Sequence, residues 1–207
     1  MPPVYTVRAR VVDIRKDTPR STVAFLVDTN VWYWRVYPSA GVLPGSATPA
    51  QMSYYSAYLQ RSTAAGAIVY RTGLCLAELA HLIEQNERDA YSQAVAPMAS
   101  KDYRHNLPSE RARVVGEVQN AWAEVKLQSH PLPLVIDDHV TDAALARFAT
   151  QPVDGFDLFL LEAMSAGGIN QVLTDDGDYC TVPGLEVFTA NPRVLAAARS
   201  AGLLVSR

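Results

Sequence analysis

The sequence STVAFLVDTNVWYW, residues 21–34, places an acid directly after a run of apolar, strand-forming residues. Such a run predicts a strand buried on both faces, as in a parallel sheet. Asp28 then stands at the end of that strand, where an unpaired charge is costly. It is either a cap for the following helix or part of a site that needs further acids.

Short apolar runs alternate with helical patterns along the rest of the chain, which predicts a three-layer α/β/α fold with a central, mostly parallel sheet. We expect one domain, residues 1–207, with an N-terminal extension over 1–21 and a helical insertion over about 85–130, where Ser109 is predicted to cap a long helix. Further strands are predicted at VYTVRARVVDI (4–14, with one wet face), AIVY (67–70), HPLPLVI (130–136), INQVLT (169–174) and LEVFTA (185–190).

Composition limits the class of protein. The 207 residues are 49% hydrophobic and 19% charged, which is enough apolar material for one large core. A formal net charge of -3 argues against a strongly basic, nucleic-acid-binding surface over the whole protein, but it allows a local basic patch at the edge of a binding site. Cys75 and Cys180 lack metal-binding spacing and are interpreted as buried thiols in a reducing compartment. The charged N-terminus and the lack of a long apolar run predict a cytoplasmic protein with no membrane segment.

A second acid lies inside an apolar helical pattern. In GLCLAELAHLIE both helical faces are apolar, and Glu78 falls between Leu74 and Leu82. A buried carboxylate needs a partner, a proton or a metal. The alternative is an ion pair with an Arg or Lys elsewhere in the chain. His81, one turn further, is interpreted as a core or rim histidine rather than a metal ligand.

Further acids begin a helix and follow a strand. Asp157 starts FDLFLLEAM, where the ordinary explanation is an acid favoured by the helix dipole, with Asp154 as the cap. Asp175, Asp176 and Asp178 follow INQVLT, where DDGD also suits a polar turn. Three acids at one strand end repel each other by roughly a few tenths to 1 kcal/mol per pair, which weighs against a turn alone.

These acids converge if the sheet is parallel. With right-handed crossovers, the ends of parallel strands share one edge of the sheet. Four carboxylates meeting at that edge require a cation, and oxygen ligands favour Mg²⁺ or Mn²⁺ over zinc. The sequence therefore predicts a divalent-cation site at this edge.

Four motifs resemble those of PIN-domain ribonucleases, the family that includes the toxins of VapBC toxin–antitoxin pairs. They are FLVDTNVWYW, GLCLAELAHLIE, DGFDLFLLEAMSAG and QVLTDDGDY, spread from about residue 23 to 190. The resemblance implies a metal-dependent endoribonuclease that uses Mg²⁺ or Mn²⁺ to hydrolyse RNA phosphodiesters. The metal-site and catalytic residues that it implies are Asp28, Glu78, Asp157, Asp176 and Asp178.

The predicted metal site and the family resemblance also suggest residues that orient the metal ligands, and possible partners. Thr29, Asn30, Thr174 and the extra acid Asp175 are expected to orient the ligands. An antitoxin protein and a homo-oligomer are candidate partners, although this chain is longer than the compact toxins of the family. Candidate cations for the RNA phosphates are Arg35, Arg71, Arg104, Arg111 and Arg113.

Three other classes are alternatives. A haloacid-dehalogenase-like phosphatase also keeps an acid after its first strand, but uses a second Asp two positions on, where this chain has Asn30. A receiver-like phosphoacceptor needs paired acids early in the chain, and VDIRKD is a poor match. An inactive PIN-fold module that binds RNA or protein would not need all four acids. A P-loop and a GxGxxG fingerprint are absent from the sequence.

Overall fold

The sheet at the centre of the molecule is parallel throughout. A computed structural model describes residues 3–43 and 47–207, so Met1 and Pro2 of the predicted extension lie outside the described residues. Within those ranges the chain forms eight α-helices and one seven-stranded sheet, and every strand pairing is parallel. The predicted three-layer α/β/α architecture is confirmed.

The strands have the spatial order β4-β3-β2-β5-β6-β1-β7. They are β1 Arg10–Asp13, β2 Ala24–Val27, β3 Ile68–Arg71, β4 His130–Pro131, β5 Gln171–Leu173, β6 Glu186–Thr189 and β7 Leu204–Val205. The helices are α1 Thr29–Val36, α2 Pro49–Ala64, α3 Leu74–Ala94, α4 Ser100–Asn106, α5 Pro108–Gln128, α6 Asp138–Phe148, α7 Gly155–Ala166 and α8 Pro192–Ser200.

The strand β2 lies inside the sheet, between β3 and β5. Phe25, Leu26 and Val27 are completely buried, as the apolar run predicts. Burying side chains of this size stabilises the fold by about 1.5–3 kcal/mol each. The Phe25 ring also packs against the rings of Tyr58 and Phe188, with centroids 6.5 and 5.8 Å away. The end of β2 is therefore held rigidly, which fixes the position of the acid that follows it.

The N-terminal strand is an interior strand, contrary to the prediction of one wet face. β1 pairs with β6 on one side and β7 on the other. Val11, Val12 and Asp13 are all buried, and the Asp13 carboxylate pairs with Arg15 at 2.7 Å. The alternation of polar and apolar residues within VYTVRARVVDI lies mostly in residues 4–10, of which only Arg10 belongs to the paired segment. The predicted extension thus supplies part of the central sheet.

The helical stretch over about 85–130 consists of the second half of α3, all of α4 and all of α5, and α5 packs on both α1 and α3. The predicted cap at Ser109 is wrong. Pro108 occupies the first turn of α5, and the residue before it, Leu107, makes no side-chain capping bond. Proline suits the first helical turn because it has no N–H to satisfy there. The helix consequently starts before Ser109.

The strand predicted over HPLPLVI is much shorter than expected. Only His130 and Pro131 pair, at the edge of the sheet next to β3. Leu132 adds one further hydrogen bond, from its N–H to the Arg71 carbonyl at 2.7 Å. Pro133 then has no N–H to donate, and prolines end pairing at edge strands. Residues beyond it leave the sheet.

Candidate functional site

The ends of β2 and β5 bring two polar residues together at the carboxyl edge of the sheet. Val27 lies opposite Leu173 in the parallel register, and the Asp28 N–H extends that pairing to the Leu173 carbonyl at 3.0 Å. Thr174, the next residue after β5, is fully buried beside it. Its hydroxyl donates to Asp28 Oδ2 at 2.6 Å. The register of two neighbouring strands therefore places this acid at the edge.

Asp28 is both a helix cap and a buried acid. Its Oδ1 accepts the Thr29 N–H at the start of α1, and its Oδ2 accepts the Asn30 amide at 2.7 Å. Only 4% of the residue is exposed. Burial raises the pKa of the Asp28 carboxyl well above its ordinary range, the charges of Glu78 and Asp176 raise it further, and hydrogen bonds to its charged form only partly oppose this. Capping alone would not require these neighbouring acids.

Asp157, in the first turn of α7, is the second buried acid. Its Oδ1 accepts the Tyr179 hydroxyl at 2.7 Å. Its Oδ2 is buried and has no hydrogen-bond partner among the described residues. Burial raises the pKa of the Asp157 carboxyl strongly, and the charge of Asp28 adds to the increase. An unpartnered buried carboxylate oxygen is costly, so this atom calls for a proton or a cation.

Glu78 lies half-buried on α3, at the boundary between its buried and exposed sides. The buried side contains Cys75, Leu79 and Ile83, whereas Leu74 and Leu82 on the second apolar face are only half-buried. Burial raises the pKa of the Glu78 carboxyl, and the charges of Asp154 and Asp176 raise it further. The buried Thr29 hydroxyl has no hydrogen-bond partner among the described residues. Within residues 3–43 and 47–207 Glu78 forms no salt bridge. The alternative of an ion pair is not realised there.

The acids after β5 separate into two groups. Asp175 turns toward α2, where it accepts the Tyr55 hydroxyl at 2.5 Å and the Gln51 amide at 2.6 Å. Asp176 and Asp178 instead lie near the other acids, and the Asp178 N–H donates to Asp176 Oδ1 at 2.8 Å. Burial and the neighbouring charge of Asp176 raise the pKa of Asp178 to about 6. The side chain of Asp175, a residue predicted to orient ligands, fastens α2 to the sheet edge, while its N–H donates to the Asn30 amide oxygen at 3.5 Å.

The sequence reading missed a further acid at this site, Asp154. It caps α7, where its Oδ1 accepts the N–H groups of Phe156 and Asp157. Its charge also raises the pKa values of four surrounding carboxyls, those of Glu78, Asp157, Asp176 and Asp178. The sequence pattern is fully explained by a helix cap at Asp154 and does not by itself indicate a second role. Its position three residues before Asp157 was the available signal.

The predicted RNA-binding arginines are mostly engaged in contacts within the protein. Arg104 and Arg111 both pair with Glu84, and Arg113 pairs with Glu87 and Glu110. The remaining two lie nearer the sheet: the Arg71 guanidinium stacks over Trp122 at 5.6 Å, and the exposed Arg35 donates to Gln128 at 3.2 Å.

A groove of about 470 Å³ lies between α3 and α5, and none of the proposed site acids lines it. Its walls include Ala77 and His81, which flank Glu78 in sequence, and the ion pairs of Arg104 and Arg111 with Glu84. His81 is exposed here and is therefore a rim histidine, as predicted. The two cysteines are buried, unpaired thiols, also as predicted.

The donor set suits a hard divalent cation, although it is not preassembled. Among residues 3–43 and 47–207, no three Asp, Glu, His or Cys side chains are already grouped to hold a metal ion. The site does contain carboxylate oxygens from several elements and an orphaned oxygen, Oδ2 of Asp157. Oxygen-only donors are those that Mg²⁺ and Mn²⁺ prefer. Glu78 and Asp178 are only half-buried.

Comparison with known proteins leaves the family open. No protein-family model matches the chain. A segment is 32% identical over 108 residues to an isoleucine–tRNA ligase of Chromobacterium violaceum, a match that covers 47% of this chain and 12% of that enzyme. The chain therefore spans a small part of that relative's length. In the described part of the chain, no helix has both the length and the apolar character needed to cross a bilayer.

Proposed function

We propose that this protein is a divalent-metal-dependent endoribonuclease of the PIN type, with its active site at the carboxyl edge of the sheet. The observation that carries the proposal is the pair Asp28 and Asp157, two buried acids on different elements. Asp157 keeps a buried oxygen with no partner among the described residues, and the charge of Asp28 raises its pKa. Together with Glu78, Asp176 and Asp178 they form a carboxylate site that a cation would stabilise. Mg²⁺ or Mn²⁺ is the proposed cofactor.

Each residue has a definable task in this proposal. Asp28 and Asp157 would hold the cation, with Glu78, Asp176 and Asp178 completing the oxygen set. Thr174 and Asn30 orient Asp28, and the Tyr179 hydroxyl orients Asp157. The cation would supply an activated water and neutralise charge that develops on the phosphodiester.

RNA is the proposed substrate class, on the strength of the family resemblance. The groove between α3 and α5 contains Arg104 and Arg111, and one of its walls is the helix that carries Glu78. Both arginines pair with Glu84, so the three side chains together carry one net positive charge, which is available to a phosphate. A toxin role, an antitoxin partner, a homo-oligomer and a cytoplasmic setting remain proposals from resemblance and composition. A short adjacent reading frame with DNA-binding features would support the toxin role.

A haloacid-dehalogenase-like phosphatase is the less favoured alternative. Its chemistry needs a second carboxylate two positions after the first. Here that position is Asn30, whose amide donates to Asp28 at 2.7 Å and to the Thr174 hydroxyl at 3.4 Å. An amide held as a donor cannot act as a general acid or base at neutral pH. The side chain orients Asp28 instead.

The test is cleavage of single-stranded RNA in chelator, in Mg²⁺ and in Mn²⁺, with p-nitrophenyl phosphate as the phosphatase control. We expect metal-dependent RNA cleavage that Asp28→Asn abolishes. Asp137→Asn is the matched control, because Asp137 also caps a helix, α6, through its side chain. Hydrolysis of p-nitrophenyl phosphate alone would favour the phosphatase, and RNA binding without cleavage would favour an inactive module.

A further inference from the structure

The N-terminal segment lies against the turn that carries two of the acids. The N–H groups of Arg8 and Ala9 both donate to the Cys180 carbonyl, at 2.8 and 3.0 Å. Cys180 belongs to the short 3-10 turn Asp178–Thr181, which begins at one of the site acids. Tyr5, three residues before Arg8, is half-buried and packs against the same region. The segment is thereby anchored at the rim of the acid site.

Gly177 shows how closely the Tyr5 ring approaches this turn. A Cβ added to Gly177 would overlap the Tyr5 ring and hydroxyl. The backbone of Gly177 has φ -77° and ψ -17°, an ordinary right-handed conformation that any residue can adopt. Glycine is therefore required by space and not by backbone geometry. The Tyr5 ring occupies the position that a side chain at residue 177 would take, between two acids of the site.

Charged groups surround the Tyr5 hydroxyl. Burial raises its pKa, the charges of Asp176 and Asp178 raise it further, and Arg193 lowers it. The hydroxyl thus stays protonated and remains a hydrogen-bond donor at neutral pH. Arg193, in the first turn of α8, is exposed and forms no salt bridge within the described ranges. Asn191, the cap of α8, accepts the Arg193 N–H at 3.0 Å and donates to the Asp175 carbonyl at 2.7 Å, which fixes the first turn of α8 beside the acid-bearing loop.

We propose that Tyr5 and Arg193 bind the nucleotide next to the phosphodiester that is cut, Tyr5 by stacking on its base and Arg193 by pairing with its phosphate. The inference rests on the proposed ribonuclease function and adds a substrate-binding role for two residues outside the four motifs. Stacking on an aromatic side chain and neutralisation of phosphate are the general means of holding single-stranded RNA. A half-exposed ring beside an acidic site suits this task because the acids themselves repel the polyanion.

The first test separates substrate binding from support of the turn. Tyr5→Ala should raise KM for a short single-stranded RNA by about tenfold, with little change in kcat, because a binding contact is lost. Tyr5→Phe keeps the ring and should behave like wild type. Tyr91→Ala is the matched control, a half-buried tyrosine on α3 about 20 Å along the helix from Glu78. It should leave KM unchanged.

A second variant displaces the Tyr5 ring without altering Tyr5. Gly177→Ala should raise KM as Tyr5→Ala does, and should add nothing further in the double variant. Arg193→Ala should also raise KM and reduce the slope of log affinity against log salt by about 0.7, the loss of one phosphate contact. Arg199→Ala, on the same helix and likewise exposed, should leave the slope unchanged.

The outcomes distinguish failure of this inference from failure of the ribonuclease proposal. If Tyr5→Ala lowers kcat and shrinks the Mn²⁺-induced rise in melting temperature while KM is unchanged, Tyr5 only supports the turn, and the inference is overturned. If wild type does not cleave RNA in either metal, the ribonuclease proposal fails. RNA affinity in chelator, measured by fluorescence anisotropy, then decides the inference: weaker binding by Tyr5→Ala and Arg193→Ala supports it, and unchanged binding overturns it.

Discussion

The Thr174 hydroxyl donates a 2.6 Å hydrogen bond to Asp28 Oδ2, and this bond joins the ends of two neighbouring strands, β5 and β2. It favours the charged form of an acid that burial pushes toward its protonated form. The bond therefore affects how readily the Asp28 carboxyl loses its proton and binds a cation.

Thr174→Val should weaken cation binding while keeping the side-chain shape. Without the donor, the pKa of Asp28 rises further, and more cation is needed to displace the proton. Loss of such an orienting partner typically costs about 10–100-fold in metal affinity. The measurement is the Mn²⁺ concentration that gives half of the rise in melting temperature. Thr174→Ser keeps the hydroxyl and is the control; equal losses in both variants would contradict the account.

In the absence of metal, stability should fall as pH rises. Burial raises the carboxyl pKa values of Asp28, Asp157 and Asp178, that of Asp178 to about 6, whereas unfolded carboxyls titrate near 4. The folded state therefore keeps protons that the unfolded chain has lost. The free energy of unfolding then decreases as pH rises above about 4, until the folded carboxyls have titrated.

Urea unfolding in chelator between about pH 5 and pH 8 measures this dependence. Each proton retained only by the folded state contributes a slope of about 1.4 kcal/mol per pH unit. Asp157→Asn still accepts the Tyr179 hydroxyl and should make the slope shallower. Saturating Mn²⁺ should flatten or reverse the slope, because the cation displaces those protons. Stability in chelator that increases with pH would refute this description of the acids.

Asp154→Asn should weaken metal binding without loss of the helix cap. Asn caps helices about as well as Asp, so the change in stability without metal should be small. The lost charge no longer raises the pKa values of the neighbouring carboxyls and no longer attracts a cation. We expect the Mn²⁺-induced rise in melting temperature to shrink, though less than in Asp28→Asn. An unchanged rise would place Asp154 outside the site.

Asp175→Ala should destabilise the fold while leaving cation binding intact, the reverse of the result expected for Asp154→Asn. It removes the acceptor of the Tyr55 hydroxyl and the Gln51 amide, which tie α2 to the sheet edge. Loss of these charge-assisted bonds should lower the free energy of unfolding by about 1–3 kcal/mol. The Mn²⁺-induced rise in melting temperature should persist, because this carboxylate points away from the other acids. Chemical denaturation with and without Mn²⁺ separates the two effects.

Strand β2 and the position of the acid that follows it could be predicted because they depend on local pattern. VAFLV is apolar at every position, and an interior parallel strand requires that. The interior position of β1 was harder to predict, because polar residues interrupt its apolar run. Its position also depends on pairing with β7, which has only two residues and no sequence pattern of its own. The Ser109 cap failed because Pro108 is an equally good helix start one position earlier.

The direction in which each acid points could not be predicted. Asp175 and Asp176 are adjacent in sequence, yet Asp175 faces α2 while Asp176 lies among the site acids. The partner that draws Asp175 away, Tyr55, is 120 residues distant in sequence. Tyr5 and Gly177 are even further apart in the sequence, and their fit depends on packing. The direction of each side chain is determined by tertiary contacts, which cannot be deduced from a single sequence.

The most direct test of the central claim is a thermal melt of wild type, Asp28→Asn and Asp137→Asn, each in chelator and in Mn²⁺. A cation bound only by the folded state at about a hundredfold excess over its dissociation constant should stabilise wild type by about 2.7 kcal/mol, or roughly 5–10 °C. Asp28→Asn should melt slightly higher than wild type in chelator, because repulsion is relieved, and should show little rise with Mn²⁺. Asp137→Asn, the cap control, should respond as wild type does. A wild-type melting temperature that Mn²⁺ leaves unchanged would contradict the claim that these acids form a metal site, and Asp28 would then be a helix cap alone.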